Sequence, residues 1–267
     1  RPFLEALGDD PSSYRPAPIQ DFVIQHLARR GPSVARTLSI ALRAYLRSLV
    51  VGGYVSASLV HCVPTVPQWR MSTLPRYLPA SDVERVIASC DMSTPRGLRD
   101  RAALLLLARL GLRAGDIVGM SIDDVDWTLS TLKLRGKGRR ETLLPLPQEV
   151  GDALLAYRER GRPRPRVPVD RVFLTARAPI RPFTTSAAVS ALVSEALKRA
   201  GIADPPSRGA HLLRHSAATA MLRSGNSLDT ISAVLRHRSS DSTAYYAKVD
   251  LEMLAQVAQR WPGGASC

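Results

Sequence analysis

The chain has 267 residues, 45% of them hydrophobic, with a formal net charge of +14 and a pI near 10.6. That much apolar content builds one or two globular cores and excludes a disordered or fibrous chain. The positive excess is spread along the sequence instead of sitting in one tail, which points to a polyanionic partner.

No apolar run approaches the roughly 18 residues needed to cross a bilayer, the longest being Ala102 to Leu107. The N-terminus carries no secretory signal pattern, so a membrane is not an expected partner. Cys62, Cys90 and Cys267 form neither a disulfide framework nor a zinc spacing, which favours the reducing cytoplasm.

In chain order, Ile19, Phe22, Val23 and Leu27 fall at helical spacing, as do Leu38, Leu42, Tyr45, Leu46 and Leu49 before Gly52-Gly53. Two amphipathic helices are therefore expected to open the chain. Arg29, Arg30, Arg36, Arg43 and Arg47 decorate them, either as a solvated face or as DNA contacts. Between Val63 and Pro79 four prolines and no periodicity read as an interdomain linker, with a boundary near residue 70.

Helices are predicted next around Ser81 to Cys90 and from Gly97 to Leu110. Thr131 to Arg135 alternates as a strand, turns through Gly136-Lys137-Gly138 and returns as a strand over Thr142 to Leu146, a hairpin with a lysine at its tip. Further helices are predicted at Glu149 to Glu159, Ala187 to Ala200 and Ala210 to Arg223, the last ending at Gly225. Ser227 caps another to Leu235, and Ser240 or Ser242 caps a short one holding Tyr245 and Tyr246. The expected fold class is mainly α with a small antiparallel β-sheet.

Four of the 37 basic residues are lysine, namely Lys133, Lys137, Lys198 and Lys248, so each survives a strong bias to arginine. Gly111-Leu112-Arg113-Ala114-Gly115-Asp116 ends an apolar helix with an arginine in a Gly-flanked turn, near a carboxylate that could orient it. His211 and Arg214, at i and i+3, share one face of the first turn of a helix, where free N–H groups favour a phosphate. His237 closes the following helix, and Tyr246 comes nine residues later. A hydroxyl nucleophile, cations for non-bridging oxygens and an acid for the departing oxygen are what transesterification at a DNA phosphate needs.

At these residues, over about positions 77 to 260, the chain resembles the tyrosine recombinase (phage integrase) family of site-specific DNA recombinases. The family pattern appears in order as GLRAGD (Gly111 to Asp116), GKG (Gly136 to Gly138), HLLRH (His211 to His215) and LRHRSSDSTAYY (Leu235 to Tyr246). The resemblance implies a helical core-binding domain over residues 1–70 and a mixed α/β catalytic domain over 71–267, with a C-terminal stretch, Leu251 to Trp261, that docks on a neighbouring protomer or folds back on its own domain. By the same resemblance, Arg113 and Arg214 clamp the scissile phosphate with planar, permanently charged forks. Lys137 is the general acid toward the 5′ oxygen, His211 assists proton transfer, His237 hydrogen-bonds the phosphate, and Asp116 supports Arg113. Tyr246 attacks phosphorus to give a 3′-phosphotyrosine, which conserves bond energy and needs no ATP, metal or other cofactor.

Tyr245 competes for the nucleophile's role but points about 100 degrees away on a helix, and the spacing from His237 favours Tyr246. His211 and His215 have the spacing of a zinc pair, yet no third ligand lies nearby and Arg214 would repel a cation, so no metal is expected and His215 reads as a buried structural histidine. Arg236 and Arg238 flank His237 where many family members carry Gly before it and Ser after it; with Arg139 and Arg140 they are further DNA-binding candidates. The region before the linker is short for a complete core-binding domain and position 1 is Arg, which reads as a fragment or as the lack of an arm-binding module. Expected partners are double-stranded DNA carrying recombination sites, copies of the same chain in a tetramer, and a partner recombinase. Two rivals share the motifs: a DNA-binding protein with a dead or partner-dependent site, and a monomeric type IB topoisomerase.

Overall fold

The computed structural model describes residues 2–67, 75–135, 141–165 and 167–236, together with Thr243 and Tyr246. The chain divides into two compact units, Arg1–Ser72 and Thr73–Cys267. The architecture is mainly helical with one small antiparallel sheet.

The first unit contains α1 (Pro2–Leu7), α2 (Pro16–Arg30), α3 (Pro32–Val51) and α4 (Ser58–His61). Proline opens both α2 and α3, where its missing N–H costs nothing. Gly31, at φ +80°, makes the corner between them. The two long helices lie on the residues whose spacing predicts them, and Ile19, Phe22, Val23, Leu42 and Leu46 form the core. Phe3 of α1 completes it with edge-on contacts to Tyr14, Phe22 and Tyr45 at 5.4 to 6.0 Å. α1 and α4 are too short to display a period, which is why only two helices are legible in this unit.

In the second unit, α5 (Ala80–Ala88) leads to α6 (Pro95–Arg109). Thr94 caps α6 by accepting from the Gly97 N–H at 3.0 Å, and Pro95 follows at the start. Gly97 is obligatory there, because a Cβ would stand 1.8 Å from the Asp91 carbonyl oxygen. Ala102 to Leu107 are all fully buried, so this stretch of α6 is apolar on every side and runs through the middle of the unit. At its entry end Asp100, 1% exposed, accepts twice from Arg99 at 3.0 and 2.7 Å, with Arg96 and Arg199 each 3.6 Å away. The buried charge is thereby compensated.

α7 (Ala114–Gly119) follows the Gly111 turn, and the sheet comes next, built from β1 (Val125–Asp126), β2 (Thr131–Arg135) and β3 (Glu141–Pro145) in that order. Leu132 faces Leu144 across the hairpin on the buried side, while Lys133 and Arg135 point outward and pair with Glu141 and Asp124. The expected hairpin is present, its second strand displaced by one residue. β1 is a third strand of two residues, too short to be read from alternation. α8 (Gln148–Ala156) runs into a wider π-helical turn over Tyr157–Gly161, so the regular helix stops before the predicted Glu159. α9 (Ser186–Arg199), α10 (His211–Arg223) and α11 (Leu228–Leu235) complete the described elements. Gly225, at φ +81°, ends α10, and Ser227 caps α11 by accepting from the Thr230 N–H at 3.1 Å, both as predicted. Among the described residues, no helix is long and apolar enough to cross a membrane.

Candidate active site

The site forms where α6, α10 and α11 meet. α6 ends at Gly111, whose φ of +59° is costly for any side chain. A Cβ there would come 2.5 Å from Leu235 Cδ2, so the glycine also lets α11 approach. The turn delivers Arg113 to the N-terminus of α7, where Asp116 accepts from the Arg113 backbone N–H at 2.8 Å. Asp116 therefore supports Arg113 through the main chain.

Arg113 Nη2 donates to the carbonyl oxygens of Leu235 at 3.3 Å and Arg236 at 2.8 Å. Arg214, only 5% exposed on α10, donates to the carbonyls of Gly111 and Leu235. Both guanidiniums are thus held by carbonyls at the ends of α6 and α11, and the planes of their forks are fixed before any anion arrives. Burial pushes Arg214 down to about 10, with the Arg113 charge adding to the effect. It remains a cation at neutral pH.

Arg236 closes α11 in the left-handed region at φ +53°, the conformation for which glycine is best suited. This explains in backbone terms why a glycine fits the family pattern here. What holds the arginine is its ion pair with Asp116, both side chains about nine-tenths buried. Arg236 Nε is buried without a hydrogen-bond partner among the described residues. The side chain expected to reach for DNA is therefore folded inward onto Asp116, because a buried carboxylate lies within its reach.

Arg236→Gly is expected to leave stability within about 1 kcal/mol of the parent, relief of left-handed strain offsetting the lost pair. Arg236→Ala, which removes the pair and keeps the strain, should lose about 1–2 kcal/mol. Thermal unfolding of the two variants side by side checks this.

His211 begins α10 and is exposed; its ring lies 6.4 Å from that of His215. Tyr246 is 2% exposed and packs with Ala218, Leu222, Ile231 and Leu235 in a small core of its own. Its hydroxyl is 2.8 Å from His215 Nδ1. His215 is thus half-buried and engaged with the tyrosine instead of being a plain packing residue. Burial first, then the neighbouring His211 and Arg214, push it down to about 4, so it is neutral at pH 7 and Nδ1 can accept the phenolic proton. The signal in the sequence was its place beside Arg214 and one turn after His211.

The structure brings together Arg113, Asp116, His211, Arg214, His215, Arg236 and Tyr246. Lys137, Arg139, Arg140, His237, Arg238, Tyr245 and the Leu251 to Trp261 stretch lie outside the described residues. In the first unit Arg29, Arg30 and Arg47 are exposed and Arg36 is half-buried. Arg43 is committed to its own unit, donating to the Val63 carbonyl at 2.8 Å and Thr65 Oγ1 at 2.9 Å.

Residues 76–253 match the phage integrase family. A protein described as putative integrase/recombinase y4rA, from Sinorhizobium fredii, is 43% identical over 252 residues, covering 94% of this chain and 60% of that protein. The tyrosine recombinase XerD of Listeria innocua is 32% identical over 232 residues, 86% of this chain and 75% of its own length. The chain spans about 60% of the first and 57% of a second Sinorhizobium fredii relative, so these are longer proteins. Among solved structures, XerH recombinase bound to a palindromic difH substrate superposes with a TM-score of 0.72 at 21% identity, over 93% of this chain and 73% of that one. A lambda integrase dimer on a COC′ core site gives 0.70 at 18% identity, over 91% and 83%.

Proposed function

This chain belongs to the phage integrase family, and on that premise we propose that it breaks and rejoins duplex DNA at specific recombination sites through a 3′-phosphotyrosine on Tyr246, exchanging strands through a Holliday junction. The observation that carries the reading is the hydroxyl of Tyr246 held at 2.8 Å by His215, one residue along α10 from the anchored Arg214, in the same unit of the same chain. In this reading the nucleophile and the two fixed guanidiniums act on one phosphodiester.

In this reading Arg113 and Arg214 hold the non-bridging oxygens and stabilise the charge that builds on them in the transition state. Asp116 keeps Arg113 in place. Lys137 protonates the departing 5′ oxygen with help from His211, and His237 hydrogen-bonds the phosphate. No metal or cofactor takes part. The unit of residues 1–72 acts as the DNA-clamping domain, with Arg29, Arg30, Arg36 and Arg47 toward the backbone, while Arg139, Arg140 and Arg238 add contacts from the catalytic unit. The enzyme works as a tetramer on paired sites, in the cytoplasm, with a partner recombinase as a further component. The difH substrate bound by XerH recombinase and the COC′ core site bound by the lambda integrase dimer support the choice of a recombination site as substrate.

The test is covalent capture. The protein is incubated with nicked duplexes of randomised sequence, denatured, and the DNA-bound peptide and the captured sequences are both identified. The expected result is a single enriched sequence family attached to Tyr246. Attachment at Tyr245 would reassign the nucleophile, absence of any adduct would overturn the enzyme reading, and capture without sequence preference would favour a topoisomerase.

A further inference from the structure

We infer that His215 is the proton acceptor for the nucleophile: when Tyr246 attacks phosphorus, the phenolic proton passes to His215 Nδ1. The inference rests on the reading of Tyr246 as the nucleophile and adds a catalytic residue to it.

The geometry requires little else. Tyr246 is almost wholly enclosed, and among the described partners its hydroxyl meets a ring nitrogen at 2.8 Å, a distance at which the proton lies on the line of transfer. A phenol with an ordinary pKa near 10 is about one part in a thousand ionised at neutral pH. Ionising it without an acceptor, inside a low-dielectric pocket, is costly. Among the described residues, the charged and titratable groups facing His215 are His211 and Arg214 from α10 and Tyr246 itself. Two of these disfavour an imidazolium, which keeps the ring unprotonated and able to accept the phenolic proton. A bound phosphodiester brings negative charge beside Arg214 and weakens that opposition, so the base strengthens when the substrate arrives.

The step balances. The bond from Tyr246 Oη to phosphorus forms as the bond to the 5′ oxygen breaks; the phenolic proton goes to His215, and the 5′ oxygen takes a proton from a separate acid. On rejoining, the 5′ hydroxyl gives its proton back to the conjugate base of that acid as it attacks phosphorus, the Tyr246 Oη–phosphorus bond breaks, and the imidazolium returns its proton to Tyr246.

The experiment compares His215→Asn with the parent on a nicked duplex of a captured sequence and on the same duplex with sulfur in place of the bridging 5′ oxygen. Asparagine keeps a hydrogen-bonding atom near Nδ1 and loses the basicity. A thiolate leaves without an acid. Adduct formation by H215N is expected to be about 100-fold slower on both substrates, whereas His211→Asn recovers on the sulfur substrate. The acid limb of the parental pH profile should also vanish in H215N. A rate within about threefold of the parent, or recovery on the sulfur substrate, would overturn the inference, since the first marks a positioning role and the second a role at the leaving group. If H215N melts below the assay temperature, His215→Gln takes its place. Failure of the parent itself to form adduct would instead sink the functional reading.

Discussion

Tyr246→Phe is expected to form no covalent adduct with DNA while keeping its fold and its affinity for the duplex. The substitution removes one oxygen and nothing else. The ring remains in the core made with Ala218, Leu222, Ile231 and Leu235. Among the described residues, what is lost is the hydrogen bond to His215, worth about 0.5–1.5 kcal/mol net. In the proposed reading duplex binding rests chiefly on arginine–phosphate contacts and depends on salt. Denaturing gels, a gel-shift titration at fixed salt and a thermal melt separate the three properties. Residual adduct in Y246F would point to Tyr245, and a large drop in melting temperature would mean that the hydroxyl is mainly structural.

Arg214→Ala is expected to lose both activity and stability. In the proposed reading Arg214 is one of two preorganised cations on the phosphate and should be worth on the order of 10² to 10³ in cleavage rate. It also satisfies the carbonyls of Gly111 and Leu235 from a position 5% exposed. Stranding the Gly111 carbonyl, at about 1–3 kcal/mol, and taking from Leu235 one of the two guanidinium donors described for it, at about 0.5–1.5 kcal/mol, should cost about 2–4 kcal/mol together. For a unit of this size that lowers Tm by roughly 2–4 °C per kcal/mol. Arg214→Lys keeps the charge but cannot span two carbonyls and grip a phosphate with one planar fork. It should recover part of the stability and little of the rate. Single-turnover adduct formation and thermal unfolding on the same preparations give both numbers, and a variant that lost rate with unchanged Tm would contradict the dual role.

How much of this was written in the sequence depends on how local the signal is. α2, α3, α5, α6, α9, α10 and α11 announce themselves by apolar spacing, and β2 by alternation, because one face of each is buried. α1, α4, α7 and β1 are shorter than the window in which a period shows. The stretch from Val167 to Thr185 has no periodicity because it is held in part by point contacts, including Arg162 donating to the carbonyls of Val169, Arg171 and Val172. At the site, residue types and spacing identified Arg113, Arg214 and Tyr246 as candidates. The pairing of His215 with Tyr246, and of Arg236 with Asp116, joins different elements, and helical periodicity is silent on what another element presents. Arg236 stood out as a departure from the family pattern; its positive φ supplies the reason that glycine suits the position.

The bonds that fix the two guanidiniums close very long loops. Arg113 reaches carbonyls 122 and 123 residues further along, and Arg214 reaches back 103 residues to Gly111. The two Arg113 ties cannot exist in a chain still missing α11, and the Arg214 tie to Gly111 waits on α10. During synthesis, which proceeds from the N-terminus, the cations would precede the helix that orients them and Tyr246 would emerge later still. On the proposed reading, a partly made or partly unfolded polypeptide would carry the charge that attracts DNA yet lack the assembled site that cuts it, so cleavage competence waits on α11 and Tyr246.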